Sequence, residues 1–190
     1  MKTTNNFKKH INNLVNGGED VRLLIKSKSD GYIIQMNFDI NLLLNKEKRE
    51  ITIGDCELYK INYAAIINNG EDFLLEMDSM STELEGLCTA ITRKGKIDKK
   101  LFPDFLDNSI IYIHKIKLLP EYRGYKLGRH IIRAILEVVA SYNDLITIMP
   151  YPDSEEEVTK ILLKKFQNYW ENIGFKRIRR TEYFSLENFK

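Results

Sequence analysis

The 190-residue chain is poor in cysteine: Cys56 and Cys88 lie far apart, with no C-x-x-C spacing and no His/Cys grouping around them. A disulfide framework and a structural zinc site both lack support on that count, and a reducing compartment fits best. There is also no apolar run of the length that a signal peptide or membrane span requires, either in the opening MKTTNNFKKHINNLVNGG or later. The expectation is therefore a soluble, cytoplasmic protein with no membrane partner. Neither an internal repeat nor a low-complexity linker can be read. Charge of one sign is lacking too: a formal net charge of +2 is too small to imply a nucleic-acid partner. Lys94, Lys96, Lys99 and Lys100 form a local basic cluster, read as a solvated loop.

What is present is ordinary globular material. Hydrophobic residues make up 43%, and 10 Tyr with 9 Phe argue against disorder. The length suits one core and is too short for two ordinary domains, so a single domain over 21–190 is expected after a polar lead over 1–20. In that lead Phe7, Ile11, Leu14 and Val15 have helical spacing, ended by Gly17-Gly18.

The first half reads mostly as strands. Val21–Lys26 and Tyr32–Ile40 form a hairpin around Ser29-Asp30-Gly31, and Glu50–Ile53 and Glu57–Ile67 form a second extended pair broken at Gly54-Asp55. Residues 78–93 read as a helix capped by Asp78 or Ser79, with Leu84, Leu87, Cys88 and Ile91 on its apolar face. The second half reads as strand Ile110–Leu118, helix Lys126–Ala140, strand Leu145–Met149, helix Glu155–Asn172 and a last strand near Glu182–Leu186. A strand, crossover helix and strand in that order is a βαβ unit. The fold class is α/β (α+β), antiparallel first and parallel later.

Chemistry concentrates in residues 110–140, where a buried strand runs through a Gly-containing turn into an amphipathic helix. Leu127, Ile131, Ile135 and Val138 form one apolar row, widened by Ile132, Leu136 and Val139. The turn thus sits at a helix N-terminus, where unpaired N–H groups and the positive dipole end suit an anion. Gly124 permits a backbone conformation or a close approach that a Cβ would hinder, and Gly128 lets the helix start pack tightly. Arg123, Lys126 and Arg129 add positive charge, and a diphosphate is the natural guest. Neither a Walker loop nor a G-x-G-x-x-G fingerprint is present.

Leu118-Leu119-Pro120-Glu121-Tyr122-Arg123-Gly124 resembles the Val/Leu-x-Pro-x-Tyr/His-Arg-Gly segment of the GNAT superfamily of acyl-CoA-dependent N-acyltransferases. Arg123 to Gly128 is similar to that family's [RQ]-x-x-G-x-[GA] loop at its Arg and its final Gly, with Lys126 where the family usually has its first Gly. Downstream, Tyr169-Trp170-Glu171-Asn172-Ile173-Gly174-Phe175 resembles the F-Y-E-K-L-G-F segment that closes the family's last helix. The likeness covers residues 110–187 well, and the first half only in strand order.

The resemblance implies a mainly antiparallel central sheet with a parallel splayed strand pair, flanked by helices. It implies acetyl-CoA as acyl-donor cosubstrate, with its pyrophosphate on Arg123, Gly124, Tyr125, Lys126, Leu127, Gly128 and Arg129. The pantetheine arm would lie between the strand ends near Leu118 and Met149, against backbone groups such as those of Ile116 and Leu118. His114 falls where many members have a proton acceptor, and a His can take the proton an amine must lose. A backbone N–H of the same strand would stabilise the oxyanion. The Tyr that often protonates the leaving thiolate is Trp170 here; Tyr169 stands beside it, about 100° around a helix. The expected activity is N-acetyl transfer from acetyl-CoA to a primary amine of an unidentified acceptor, and a homodimer is compatible with it. Tyr63, Tyr112 and Pro150–Glu157 are candidate acceptor-site material, although acids at a helix start also serve stability alone. A non-catalytic acyl-CoA-binding sensor or interaction module is the alternative, and a toxin acting on aminoacyl-tRNA a third reading that the small net charge does little to support.

Overall fold

A computed structural model describes residues 20–44, 49–106, 108–125, 127–152 and 159–186. The helical lead expected at the N-terminus, Lys126 and the acidic run 153–157 lie outside the described residues. In chain order the elements are β1 (Asp20–Asp30), β2 (Ile33–Leu44), β3 (Arg49–Ile61), α1 (Tyr63–Asn68), α2 (Phe73–Met80) and α3 (Thr82–Ile91). Next come β4 (Thr92–Arg93), β5 (Lys96–Ile97), β6 (Ile110–Leu118), a 3-10 turn (Pro120–Tyr122) and α4 (Leu127–Val139). The chain continues with β7 (Leu145–Ile148), α5 (Lys160–Ile173), β8 (Lys176–Arg177) and β9 (Phe184–Leu186). Seven strands in the order β1-β2-β3-β6-β7-β9-β8 form a mainly antiparallel sheet with one parallel pair, β6 and β7, flanked by the helices. The α/β architecture and the β6-α4-β7 order are those expected.

Four boundaries differ from the sequence reading. First, β3 runs unbroken through Gly54, whose φ is not positive; a Cβ there would stand 2.2 Å from the Lys117 carbonyl oxygen and 2.9 Å from Leu118 Cδ2. Gly54 is required for backbone approach, not for a turn. Second, Tyr63–Asn68 is helical because the Asn62 carboxamide accepts the Ala65 N–H at 3.0 Å, and Tyr63 and Ile66 then share a buried face.

Third, the single helix expected over 78–93 is two. Asp72 caps α2 by accepting from Leu74 and Leu75, and Ser81, extended at φ −170°, ends α2 and caps α3 by accepting from Leu84. Asp78 and Ser79 lie inside α2, and the Ser79 hydroxyl donates to the Glu76 carbonyl rather than capping anything. Fourth, α5 begins at Lys160, later than expected, with the Thr159 hydroxyl accepting from Leu162. Its end is as expected: Gly174 at φ +119° closes the helix, with its N–H on Glu171 and that of Phe175 on Trp170.

The chain divides into two compact units. One comprises described residues of 20–27, 36–57 and 115–139. It holds Ile40, Leu42, Ile53 and the inner face of α4: Leu127, Ile131, Ile132, Ile135, Leu136 and Val139 are all buried. At about 1.5–3 kcal/mol per buried apolar side chain, this stripe is the main reason that segment is helical. Val138, expected on the face, is 60% exposed, because the stripe takes its last step by four residues to Val139. The other unit comprises 28–35, 58–114 and described residues of 140–190. Its core gathers Ile61, Phe73, Met77, Leu84, Leu87, Phe105, Ile110 and Tyr112. Among the described residues no helix is long and apolar enough to cross a membrane.

Candidate functional site

The segment after β6 is held from both sides. The Leu119 N–H donates to the Ile53 carbonyl at 2.9 Å, beside the close approach that Gly54 permits, so β3 fixes where β6 ends. Pro120 then opens the 3-10 turn, Tyr122 is buried and anchors it, and Arg123 N–H closes it on the Pro120 carbonyl at 3.2 Å. Gly124 has φ +82° with open space around a hypothetical Cβ, so its need for glycine is conformational. Tyr125 is half-buried and Leu127 buried, while Arg123, Gly124 and Arg129 are exposed. No acid stands in the first turn of α4, which leaves the positive end of the dipole without a carboxylate of its own. The Arg123 guanidinium Nε donates back to the Leu118 carbonyl at 2.7 Å. That contact stiffens the turn and keeps the Arg123 charge against the strand end; the carbonyl retains a second lone pair.

Upstream, the parallel ladder pairs Ile110 with Leu145 through to Ile113 with Ile148, where β7 ends, and β6 continues through Ile116 to Leu118. His114 is the first residue past that ladder. Its Nδ1 lies 2.7 Å from Glu83 Oε2, with the two side chains 32% and 40% exposed. The Tyr112 hydroxyl donates to the same oxygen at 3.3 Å, and the Tyr183 hydroxyl donates to the Glu83 backbone carbonyl at 2.8 Å. Tyr59 meets the His114 ring edge-on at 5.7 Å between centroids, and Tyr112 meets it tilted at 6.1 Å.

This cluster has a defined electrostatic sense. Burial, reinforced by the Glu83 carboxylate, raises the Tyr112 phenol far above its ordinary value, and the same causes in the same order push Tyr183 up to about 12. Both phenols therefore stay protonated and act as donors. An imidazole that donates from Nδ1 to a carboxylate presents the Nε2 lone pair outward, which is the tautomer a general base needs.

Glu83 is the member of this cluster that the sequence did not single out. Its only local signal is an acid in the first turn of α3, which helix stability alone accounts for. The partner that gives it a role lies 31 positions away. Gly86 is part of the same construction: a Cβ there would stand 2.5 Å from the Tyr183 hydroxyl, so glycine lets Tyr183 reach α3.

The other residues singled out fall elsewhere. Tyr169 is half-buried on α5, with its ring edge-on to Trp170 at 5.6 Å. The rings on His114 are those of Tyr59 and Tyr112. Trp170 is 1% exposed among Phe166, Tyr169 and Phe175, and its Nε1 has no acceptor among the described residues. Tyr63 is 3% exposed, its hydroxyl accepting from the Ile97 N–H at 3.3 Å, and Tyr112 is fully buried; both are core residues rather than open acceptor-site surface. Tyr151 is exposed between the buried Pro150 and Pro152. No three His, Cys, Asp or Glu side chains gather as a metal site needs, among the described residues. No family model matches the chain, and no curated protein matches it.

Proposed function

We propose that the chain is an acyl-CoA-dependent N-acyltransferase that moves an acetyl group from acetyl-CoA to a primary amine. The observation that carries this reading is the His114–Glu83 pair at 2.7 Å, on β6 just past its ladder with β7 and four residues before the Leu118–Gly124 motif. The strand beyond the ladder suits a pantetheine arm. The turn, with its left-handed Gly124 and an α4 start free of acids, suits a diphosphate.

In the reaction the amine nitrogen attacks the thioester carbonyl carbon, the C–N bond forms and the C–S bond breaks. The amine's proton passes to His114 Nε2, directly or through a water, and the electron pair of the broken bond leaves on sulfur. The thiolate takes a proton from solvent or from the imidazolium, which restores the base. Glu83 holds the ring and balances the charge it gains. Tyr169 is retained as a donor for the thiolate only as the nearest Tyr to the position where Trp170 stands.

A non-catalytic acyl-CoA-binding module is the second reading, and the buried, hydroxyl-free Trp170 is the observation that favours it. Thermal stabilisation by acetyl-CoA and by desulfo-CoA, followed by a CoA-release screen over polyamines, aminoglycosides, amino acids and peptides, separates the two. Stabilisation with release supports the enzyme, and stabilisation without release supports the module. No stabilisation by either compound overturns both.

A further inference from the structure

The two most basic stretches of the chain, 93–100 and 176–180, are far apart in sequence and are brought together in one unit of the fold. Arg179 bridges them: its guanidinium donates to the Thr92 carbonyl at 3.3 Å and pairs with Asp98 at 2.5 Å, across 81 positions of sequence. Ile97 and Ile178 belong to the same buried cluster, so the juxtaposition has a packed base. The Asp98 carboxyl is held below its ordinary value, first by the Lys100 N–H and then by Arg179 and Arg93.

Residues 93–100 and 176–182 together contain nine Lys or Arg and two acids, Asp98 and Glu182, although the whole chain carries only +2. Asp98 is already committed to Arg179. Arg93, Lys94, Lys96, Lys100 and Arg180 are all exposed and make no ion pair among the described residues.

Backbone geometry supplies a second observation. Three non-glycine residues have positive φ in the described chain: Asn143, which tolerates it, and Lys94 at 54° and Arg179 at 51°. Lys94 is at the tip of the β4–β5 hairpin and Arg179 at the turn after β8, so both tips of the patch place a cation where Asn or Gly would sit with less strain.

We infer that this surface is a docking site for the phosphate backbone of a nucleic acid. The exposed large apolar side chains are Leu24, Ile25, Leu74, Leu75 and others outside both basic stretches, so the patch lacks the hydrophobic residues that would enter a lipid surface. Clustered, unpaired guanidinium and ammonium groups are what a row of phosphates selects, and the inference is independent of acyl transfer. It departs from the solvated loop read for Lys94–Lys100, because the sequence does not show that the second stretch lies alongside.

The test is fluorescence anisotropy of the full chain with a labelled RNA hairpin and a labelled DNA duplex, at about 50 to 200 mM salt. The variant is Arg93→Gln, Lys94→Asn, Lys96→Gln and Arg180→Gln together. It keeps Arg179 and its anchors, and Asn suits the left-handed tip, so an unchanged thermal midpoint is expected. Binding to at least one probe should weaken more than about tenfold in the variant, with the log–log salt slope on duplex falling by about 0.9 for each phosphate that is no longer neutralised. A control neutralising Lys26, Lys160, Lys164 and Lys165 should leave binding intact. No binding of either probe at low salt, equal weakening in variant and control, or binding to phosphatidylserine vesicles in place of both probes would each overturn the assignment.

Discussion

Replacing Glu83 by Gln keeps an oxygen that can accept from His114 Nδ1 at the 2.7 Å seen here, and removes only the charge. A hydrogen bond to a charged group contributes about 1.5–3 kcal/mol against about 0.5–1.5 for a neutral one. With the two side chains 32% and 40% exposed, water screens the pair and the lower end of the difference applies, about 1 kcal/mol. If that difference is expressed in the transition state, where the imidazole becomes positive, turnover falls about fivefold. On the proposed mechanism, with His114 as the base, His114→Ala should cost about 10²–10⁴-fold in kcat, with KM for acetyl-CoA little changed. The two residues act as one unit, so the double variant should be no slower than His114→Ala alone. The assay is initial-rate CoA release with the best amine from the screen. Unchanged turnover in His114→Ala, or losses that simply multiply in the double variant, would refute the coupled base.

Two further predictions concern the frame around the site. Gly54→Ala should lower stability by about 1–3 kcal/mol through its collision with backbone, and with it the thermal midpoint by about 2–4 °C per kcal/mol. Gly124→Ala, strained only by its φ, should cost about 1–2 kcal/mol; calorimetry showing Gly54→Ala at the wild-type midpoint would contradict the close packing of β3 on residues 117–118. Burial pushes the Cys88 thiol up to about 12 and raises Cys56 as well, so at pH 8 the thiolate is a trace. Iodoacetamide should therefore label both cysteines only in denaturant, and rapid modification of either in the native protein, read by intact mass, would show that it is not enclosed.

The second half of the fold was legible because its elements differ in period: the strand Ile110–Leu118 opens on a run of four buried residues, and Leu127 to Leu136 repeats at three and four. The first half misleads where one residue type serves two purposes. Gly54 reads as a breaker and is a contact, and Tyr63-Ala64-Ala65-Ile66-Ile67 reads as strand until Asn62 is seen to cap it. Ser81 and Thr159, which set the true starts of α3 and α5, compete in sequence with Asp78, Ser79 and the acids after Asp153. Among the residues singled out, His114 and, separately, the Arg123–Gly128 segment could be selected from their neighbours in the sequence. Glu83, Tyr183 and Gly86 could not, since what links them to His114 is packing between α3, β6 and the segment just before β9.

Trp170 has a consequence of a different kind. It is the single tryptophan of the chain, 1% exposed, with its indole nitrogen unbonded among the described residues and two phenylalanine rings beside it. The molecule thus carries one optical reporter in a buried, aromatic setting at the end of α5. Its emission is that of one environment, free of the averaging that several indoles would impose, and reads the closure of that helix on Phe175 without any label being attached.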